Sequence, residues 1–283
     1  MFAEYGFTVN LYDPRDDLAD AVQTFLTTML HVSGEHTGLQ HNIRLCRSLD
    51  GALENVFLIQ KCGPENIAFK QDFWKTAGAA APNDALFCSS SSGIPASRQS
   101  LKMEIPHRLL IAHPFNPPHI LPLVELCPNA DTPHTLLDRA CSFYRSIGKH
   151  LVILNKEIPG FVANRLQIAL LNEAVYWVSE GICTPKQLDE IVTHSIGIRW
   201  ACTGPLHSAH LGGGADGISH FLNHIGRSLA ACIGQEEKLS AERIDRISRL
   251  TNRDYPADQY TAACRQRDYR QTAVLKTLSD TKN

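Results

Sequence analysis

The sequence predicts an α/β domain built on a mostly parallel sheet, followed by an all-helical domain. Three observations carry this reading. Short apolar runs alternate with helically spaced stretches as far as about residue 155. Beyond Pro159 the apolar residues recur at three- and four-residue intervals instead, and no later segment resembles a strand. Strand, helix, strand at the first rhythm is the mark of βαβ units, and the switch to the second marks a change of domain. The expected boundary lies near 156–159, giving domains over 1–157 and 158–283.

Taken in order, "TVNLYD" (8–13) reads as a strand ending in an acid, and 16–31 carries helical spacing through Leu18, Val22, Phe25, Leu26, Met29 and Leu30. "VFLIQK" (56–61), "ALFCSS" (85–90), "RLLIAH" (108–113), "LPLVEL" (121–126) and "LVILN" (151–155) read as further strands, with helices expected over 65–80 and 135–147. The second half opens with a long helix over 159–181, "PGFVANRLQIALLNEAVYWVSEG", stopped by Gly181. In "TPKQLDEIV" (184–192), Thr184 suits an N-cap and Pro185 the first helical position. "LGGGADG" (211–217) follows no strand and reads as a turn between helices. The tail from about 240 is polar, rich in Arg and Asp, and expected to be helical and partly solvated.

The chain has 283 residues, 43% hydrophobic and 20% charged, with a net charge of -2. That balance gives no basic footprint for nucleic acid or an anionic membrane. No apolar run approaches the roughly 20 residues needed to span a bilayer, and no secretory signal opens the chain. The nine cysteines are an odd number and form no CxxC pair. Reduced, buried thiols in a cytoplasmic protein are expected, without a zinc knuckle.

Asp13 ends the first strand, where a dinucleotide fold places the acid that binds the adenosine ribose. Such an acid lies roughly 20 residues beyond a Gly-rich turn, and only twelve residues precede it here. The expectation is therefore an N-terminally truncated Rossmann-like domain, lacking the first strand and the G-x-G-x-x-G loop that would hold a pyrophosphate.

His113 ends one expected strand and Glu125 lies within the next. A histidine beside a carboxylate is a usual means of removing a proton from an alcohol, because the carboxylate fixes the imidazole tautomer and stabilises the imidazolium. Read singly, each residue has an ordinary structural explanation: a polar strand end, or an outward-facing glutamate.

"SSSSG" (89–93), "AHPFNPP" (112–118), "PLVEL" (122–126), "KEIPGFVANRLQ" (156–167) and "TGPL" (203–206) occur in the order and spacing of the L-3-hydroxyacyl-CoA dehydrogenase superfamily, which the chain resembles from about residue 2 to 278. "IQKCGPE" (59–65), "GIRWACTGPLHSAHL" (197–211) and "RQRDYRQTAVLKTL" (265–278) are most similar to its branch of lambda-crystallin and L-gulonate 3-dehydrogenase. The resemblance implies that His113 is the general base and Glu125 its orienting partner. It implies that Ser92 binds the substrate oxygen and that Asn164 positions substrate beside His113. Asn116 would help hold the nicotinamide end, Glu65 and Lys70 lie near the cofactor, and Asp13 is the ribose acid. NAD is expected rather than NADP, since Asp13 suits a free 2'-hydroxyl and repels a phosphate. The resemblance also implies a homodimer formed through the helical domain.

Arg199, in "GIRWA", offers a guanidinium that can hold a free carboxylate through paired hydrogen bonds. It is expected to read the carboxylate of a 3-hydroxy acid, against the alternative of a surface arginine lying over Trp200. The histidines at 207, 210, 220 and 224 invite a metal reading, but no carboxylate or cysteine completes a set in register, so no metal is expected. The leading expectation is NAD-dependent oxidation of the 3-hydroxyl of a 3-hydroxy acid or 3-hydroxyacyl-CoA. A protein with a binding or structural role on the same scaffold, without the pyrophosphate loop, is the alternative from another class.

Overall fold

The computed structural model describes residues 1–33, 39–235 and 239–280. Contacts divide the chain into two compact units, Met1–Leu171 and Asn172–Asn283.

In the first unit, β1 (Val9–Leu11) leads into α1 (Leu18–Ser33), and β2 (Ile43–Leu45) pairs with β1 in parallel. The side chains of Met29 and Leu30, part of the expected stripe on α1, lie outside the described residues. A short α2 (Leu49–Leu53) follows, capped by Ser48. Then come β3 (Leu58–Lys61), α3 (Ile67–Ala80), β4 (Leu86–Ser89), α4 (Ala96–Gln99), β5 (Leu109–Pro114), β6 (Leu123–Pro128), α5 (His134–Ser146) and β7 (His150–Ile153). The strands β3 to β7 form one sheet in chain order, parallel throughout except for the antiparallel pair β5–β6. The six expected strands are all present. The short β2 was not expected: three half-exposed or exposed residues leave too little apolar pattern to announce a strand.

The middle strands are apolar on both sides because both faces of the sheet are covered. Alternate residues divide between two cores. Phe87, Leu109 and Ile111 pack with Trp74 and Ala77 of α3 on one face. Leu86, Cys88, Leu110, Ala112, Val124 and Leu126 pack with Ala140, Phe143 and Tyr144 of α5 on the other. The pair β1–β2 stands apart as its own two-stranded sheet. Between β1 and β3 lies a cavity of about 810 Å³, walled by Val9–Leu11 on one side and Leu58–Lys61 on the other.

Helix α6 spans Ala163–Ser179, four residues later than the expected start at 159. The delay has a local cause. Gly160 and Phe161 both take left-handed backbone angles, φ 78° and 48°, which a right-handed helix cannot contain.

The second unit holds α7 (Pro185–Thr193), α8 (Ile196–Thr203), α9 (Pro205–Gly212), α10 (Gly217–Phe221), α11 (Arg227–Cys232), α12 (Ala241–Asp254) and α13 (Tyr260–Asp280), with no strand among the described residues. Thr184 caps α7 in a reciprocal capping box with Gln187, as its sequence suggests. "LGGGADG" is indeed a turn, joining α9 to α10. A Cβ on Gly213 would meet the Gly217 carbonyl oxygen at 1.8 Å, so only glycine fits there. His210 is buried against this turn and accepts the Ile218 N–H at Nδ1, while His207 stacks on Tyr255. No helix among the described residues is long and apolar enough to cross a membrane.

Candidate active site

Antiparallel pairing sets His113 of β5 directly opposite Glu125 of β6. The two side chains are almost wholly inside, 5% and 2% exposed, and His113 Nδ1 lies 3.2 Å from Glu125 Oε2. The other carboxylate oxygen accepts the backbone N–H groups of Val162 and Ala163, at 3.2 and 3.0 Å. These are amides at the N-terminus of α6, where the aligned peptide dipoles also favour a negative charge. An ionised carboxylate only accepts, so the hydrogen bond between the two places the donor at His113 Nδ1 and leaves Nε2 turned away from Glu125. Phe115 and Phe161 flank the imidazole, with centroids 5.0 and 5.7 Å away. The left-handed turn at Gly160–Phe161 puts the α6 amides under Glu125 and the Phe161 ring beside His113.

The serine run after β4 is fastened from several sides. Glu65 accepts the Ser91 hydroxyl at 2.8 and 2.9 Å, the Gly93 N–H at 3.1 Å and also the Ser92 N–H. The Ser92 carbonyl accepts the Asn164 amide at 2.7 Å, and the Gly93 carbonyl accepts the Gly160 N–H at 2.9 Å. Glu65 also pairs with Lys70, 3.1 Å away and buried on α3. Below the loop, Gln99 accepts from Trp74 Nε1 and the Ser89 hydroxyl, and donates to the Ile94 carbonyl. Partial burial pushes the Glu65 carboxyl upward, but hydrogen bonds from Ser91, Lys70 and the Ser92 N–H outweigh it, and the net direction is down.

A pH prediction follows from that direction. A carboxyl lowered on folding contributes stability above its ordinary value of 4.5 and loses it as pH falls through the lower folded value. Glu65→Gln is expected to cost about 1–2 kcal/mol at neutral pH, after allowance for its partial exposure. The gap to wild type should close on acidification below about pH 4.5. Thermal melts from pH 3 to 7 check this; a gap independent of pH would contradict it.

The structure thus brings His113, Glu125, Ser92, Asn164, Glu65 and Lys70 into one connected set. Ser92 is held by its backbone, leaving its side chain exposed. Asn116 is exposed in the segment after β5. Asp13 lies apart, exposed beyond β1, where it accepts the Arg15 N–H and lines the cavity between β1 and β3. That cavity reaches Gln60, Lys61 and Cys62, but its lining does not include His113. Arg199 is exposed on α8 in the second unit. The sequence reading missed Ser91, Phe161 and Lys61, and only Lys61 carried a signal: a charge closing the apolar run "VFLIQK".

All nine cysteines are free. Only Cys88, Cys127, Cys141 and Cys202 are buried, while Cys62 and Cys232 are exposed, so the expectation of buried thiols holds for part of the set. Burial pushes Cys88 and Cys127 up to about 12 and 11, which keeps both protonated and makes neither a nucleophile.

Residues 1–158 match the family model of the 3-hydroxyacyl-CoA dehydrogenase NAD binding domain, and residues 160–283 match that of the 3-hydroxyacyl-CoA dehydrogenase C-terminal domain. L-carnitine dehydrogenase of Nocardiopsis dassonvillei is 33% identical, over 99% of this chain and 87% of its own length. Lambda-crystallin of Oryctolagus cuniculus is 32% identical, over 98% and 89%. Among solved structures, the NAD+-dependent dismutase 5-formyl-3-hydroxy-2-methylpyridine 4-carboxylic acid 5-dehydrogenase superposes with a TM-score of 0.71 at 26% identity, covering 89% of this chain and 92% of that one.

Proposed function

Because the chain belongs to the 3-hydroxyacyl-CoA dehydrogenase family of NAD-dependent oxidoreductases, we propose that it oxidises the 3-hydroxyl of a free 3-hydroxy acid, with His113 as general base. The observation that carries this reading is the buried cross-strand pair of His113 and Glu125. His113 Nε2 accepts the hydroxyl proton. Glu125 stabilises the imidazolium that results, and the Val162 and Ala163 amides hold that carboxylate in place. Ser92 binds the substrate oxygen through its exposed hydroxyl, and Asn164 fixes the Ser92 backbone while positioning substrate. Bound NAD supplies the hydride acceptor.

Two features of the chain suit that cofactor: an exposed carboxylate, Asp13, past the end of β1, and a buried lysine, Lys61, at the end of β3, both lining one cavity. Its volume of about 810 Å³ lies within the range of roughly 300–1,000 Å³ common for ligand pockets. Asp13 takes the ribose hydroxyls, while Glu65, Lys70 and Asn116 serve the nicotinamide end, the first two by holding the serine loop in shape. A homodimer belongs to the same reading: Val175, Tyr176, Trp177 and Ile182 are large apolar side chains left exposed on the helical part.

The free acid is preferred to the CoA thioester because Arg199 is an exposed guanidinium with no ion pair among the described residues, and a similar protein is an L-carnitine dehydrogenase. NADH formation should be followed with L-carnitine, 3-hydroxybutyrate and 3-hydroxybutyryl-CoA as alternative substrates. A free acid should be turned over, and Arg199→Met should raise its KM by about 10- to 100-fold with kcat little changed. Turnover of the thioester alone, or an unchanged KM, would reverse the substrate assignment. Absence of NAD binding by calorimetry would overturn the function itself.

A further inference from the structure

Lys61 is the last residue of β3, and in open α/β sheets ligands bind beyond the carboxyl ends of the strands. It is only 4% exposed, yet its ammonium has no hydrogen-bond partner and no carboxylate within ion-pair distance. The nearest acid, Glu65, is already engaged by Lys70, Ser91 and two backbone amides. What surrounds the amine is aromatic: Nζ sits 4.6 Å from the Phe69 centroid and 5.4 Å from that of Phe73. Such contacts offset only part of the cost of burying an uncompensated ammonium.

The backbone packs closely around this charge. Gly63 lies against the amine: a Cβ there would stand 3.1 Å from Nζ, closer than side chains ordinarily approach. Lys61 also lines the same cavity as Asp13. Burial first, and then the neighbouring Lys70, lowers the Lys61 amine to about 8, with Glu65 and Cys62 opposing, so most of it is still charged at neutral pH. A buried, unpaired cation on a residue that lines a cavity is the counterpart of an anion.

We infer that Lys61 is an anion-binding residue of this cavity, taking a phosphate oxygen of the bound dinucleotide at the carboxyl end of β3. The identity of the ligand rests on the dinucleotide reading above; the anion site itself rests on the unpaired amine. Binding the anion relieves the cost of burying the charge, so the residue trades stability of the free protein for affinity. Lys61→Met, which keeps the length and apolar stem, should therefore melt at a higher temperature than wild type when no ligand is present.

The test compares wild type with Lys61→Met by fluorescence titration with NADH and with reduced nicotinamide riboside, which has the same ring but no phosphate. NADH affinity should fall by about 10- to 100-fold in the variant, the loss of one charge-assisted contact, with riboside affinity unchanged. Unchanged NADH affinity overturns the inference, and so does an equal loss for both ligands, which would mean that Lys61 only shapes the cavity. If wild type binds no NADH, the cofactor reading fails and the anion site is judged with inorganic pyrophosphate. A rise in melting temperature in wild type that is absent in Lys61→Met sustains the site, and no rise in wild type removes it.

Discussion

Replacing Glu125 with glutamine should lower kcat by about 10³- to 10⁴-fold while leaving the fold intact. The argument is one of proton position. The carboxylate accepts from His113 Nδ1 with one oxygen and from the Val162 and Ala163 amides with the other. A glutamine must keep its carbonyl oxygen towards those two amides, because they can only donate. Its NH₂ then faces His113 and donates to Nδ1, which moves the imidazole proton to Nε2. The base would carry a proton on the nitrogen that must accept one, and the imidazolium would lose its counter-charge. General acid–base catalysis contributes about 10²–10⁴-fold, and a wrong-tautomer substitution sits at the upper end of that range. Steady-state kinetics with a pH profile check this, alongside a melting curve and NADH affinity that should stay near wild type. A fall below tenfold would show that His113 is not the base.

The buried pair of His113 and Glu125 was legible because it needs only two facts that a sequence carries, the strand assignments and the short connection between them. Its register was not: the segment from Phe115 to Pro122 could have set His113 against any residue of β6, and side-chain periodicity allows several. Resemblance placed Glu65 and Lys70 near the cofactor, but the network around Glu65 was not legible. Nothing in "CGPENIAFK" states that a half-exposed glutamate will gather three donors from a loop about 27 residues away, with Lys70 of α3 as a fourth. Phe161 shows a further limit. A left-handed backbone is a property that glycine announces and phenylalanine conceals, so the late start of α6 and the amides it lends to Glu125 were invisible. Lys61 carried a signal without its meaning. A lysine closing an apolar strand does not state which way it turns, and its burial depends on Phe69 and Phe73, contributed by a helix that the strand pattern does not encode.

The same dependence of the site on buried structure makes Trp74→Ala the most damaging core substitution expected, at about 3–5 kcal/mol of stability. Trp74 is fully buried on α3, stacked on Phe87 of β4 at 5.6 Å and edge-on to Phe73 at 5.1 Å. Removing it leaves a cavity in the middle of the core that also holds Leu109 and Ile111, and close packing around it limits collapse. The indole does more than fill space: its N–H donates to the Gln99 carbonyl oxygen, and the Gln99 amide holds the Ile94 carbonyl at the end of the serine loop. Trp74→Phe separates the two effects, restoring most of the volume but not the donor. Ser89 still donates to Gln99 in that variant, so the acceptor is not orphaned. Trp74→Phe should therefore cost about 1–2 kcal/mol, well below the alanine variant, and denaturant unfolding of both proteins resolves the difference. Equal losses would mean that the hydrogen bond to Gln99, rather than the volume of the indole, holds α3 against β4.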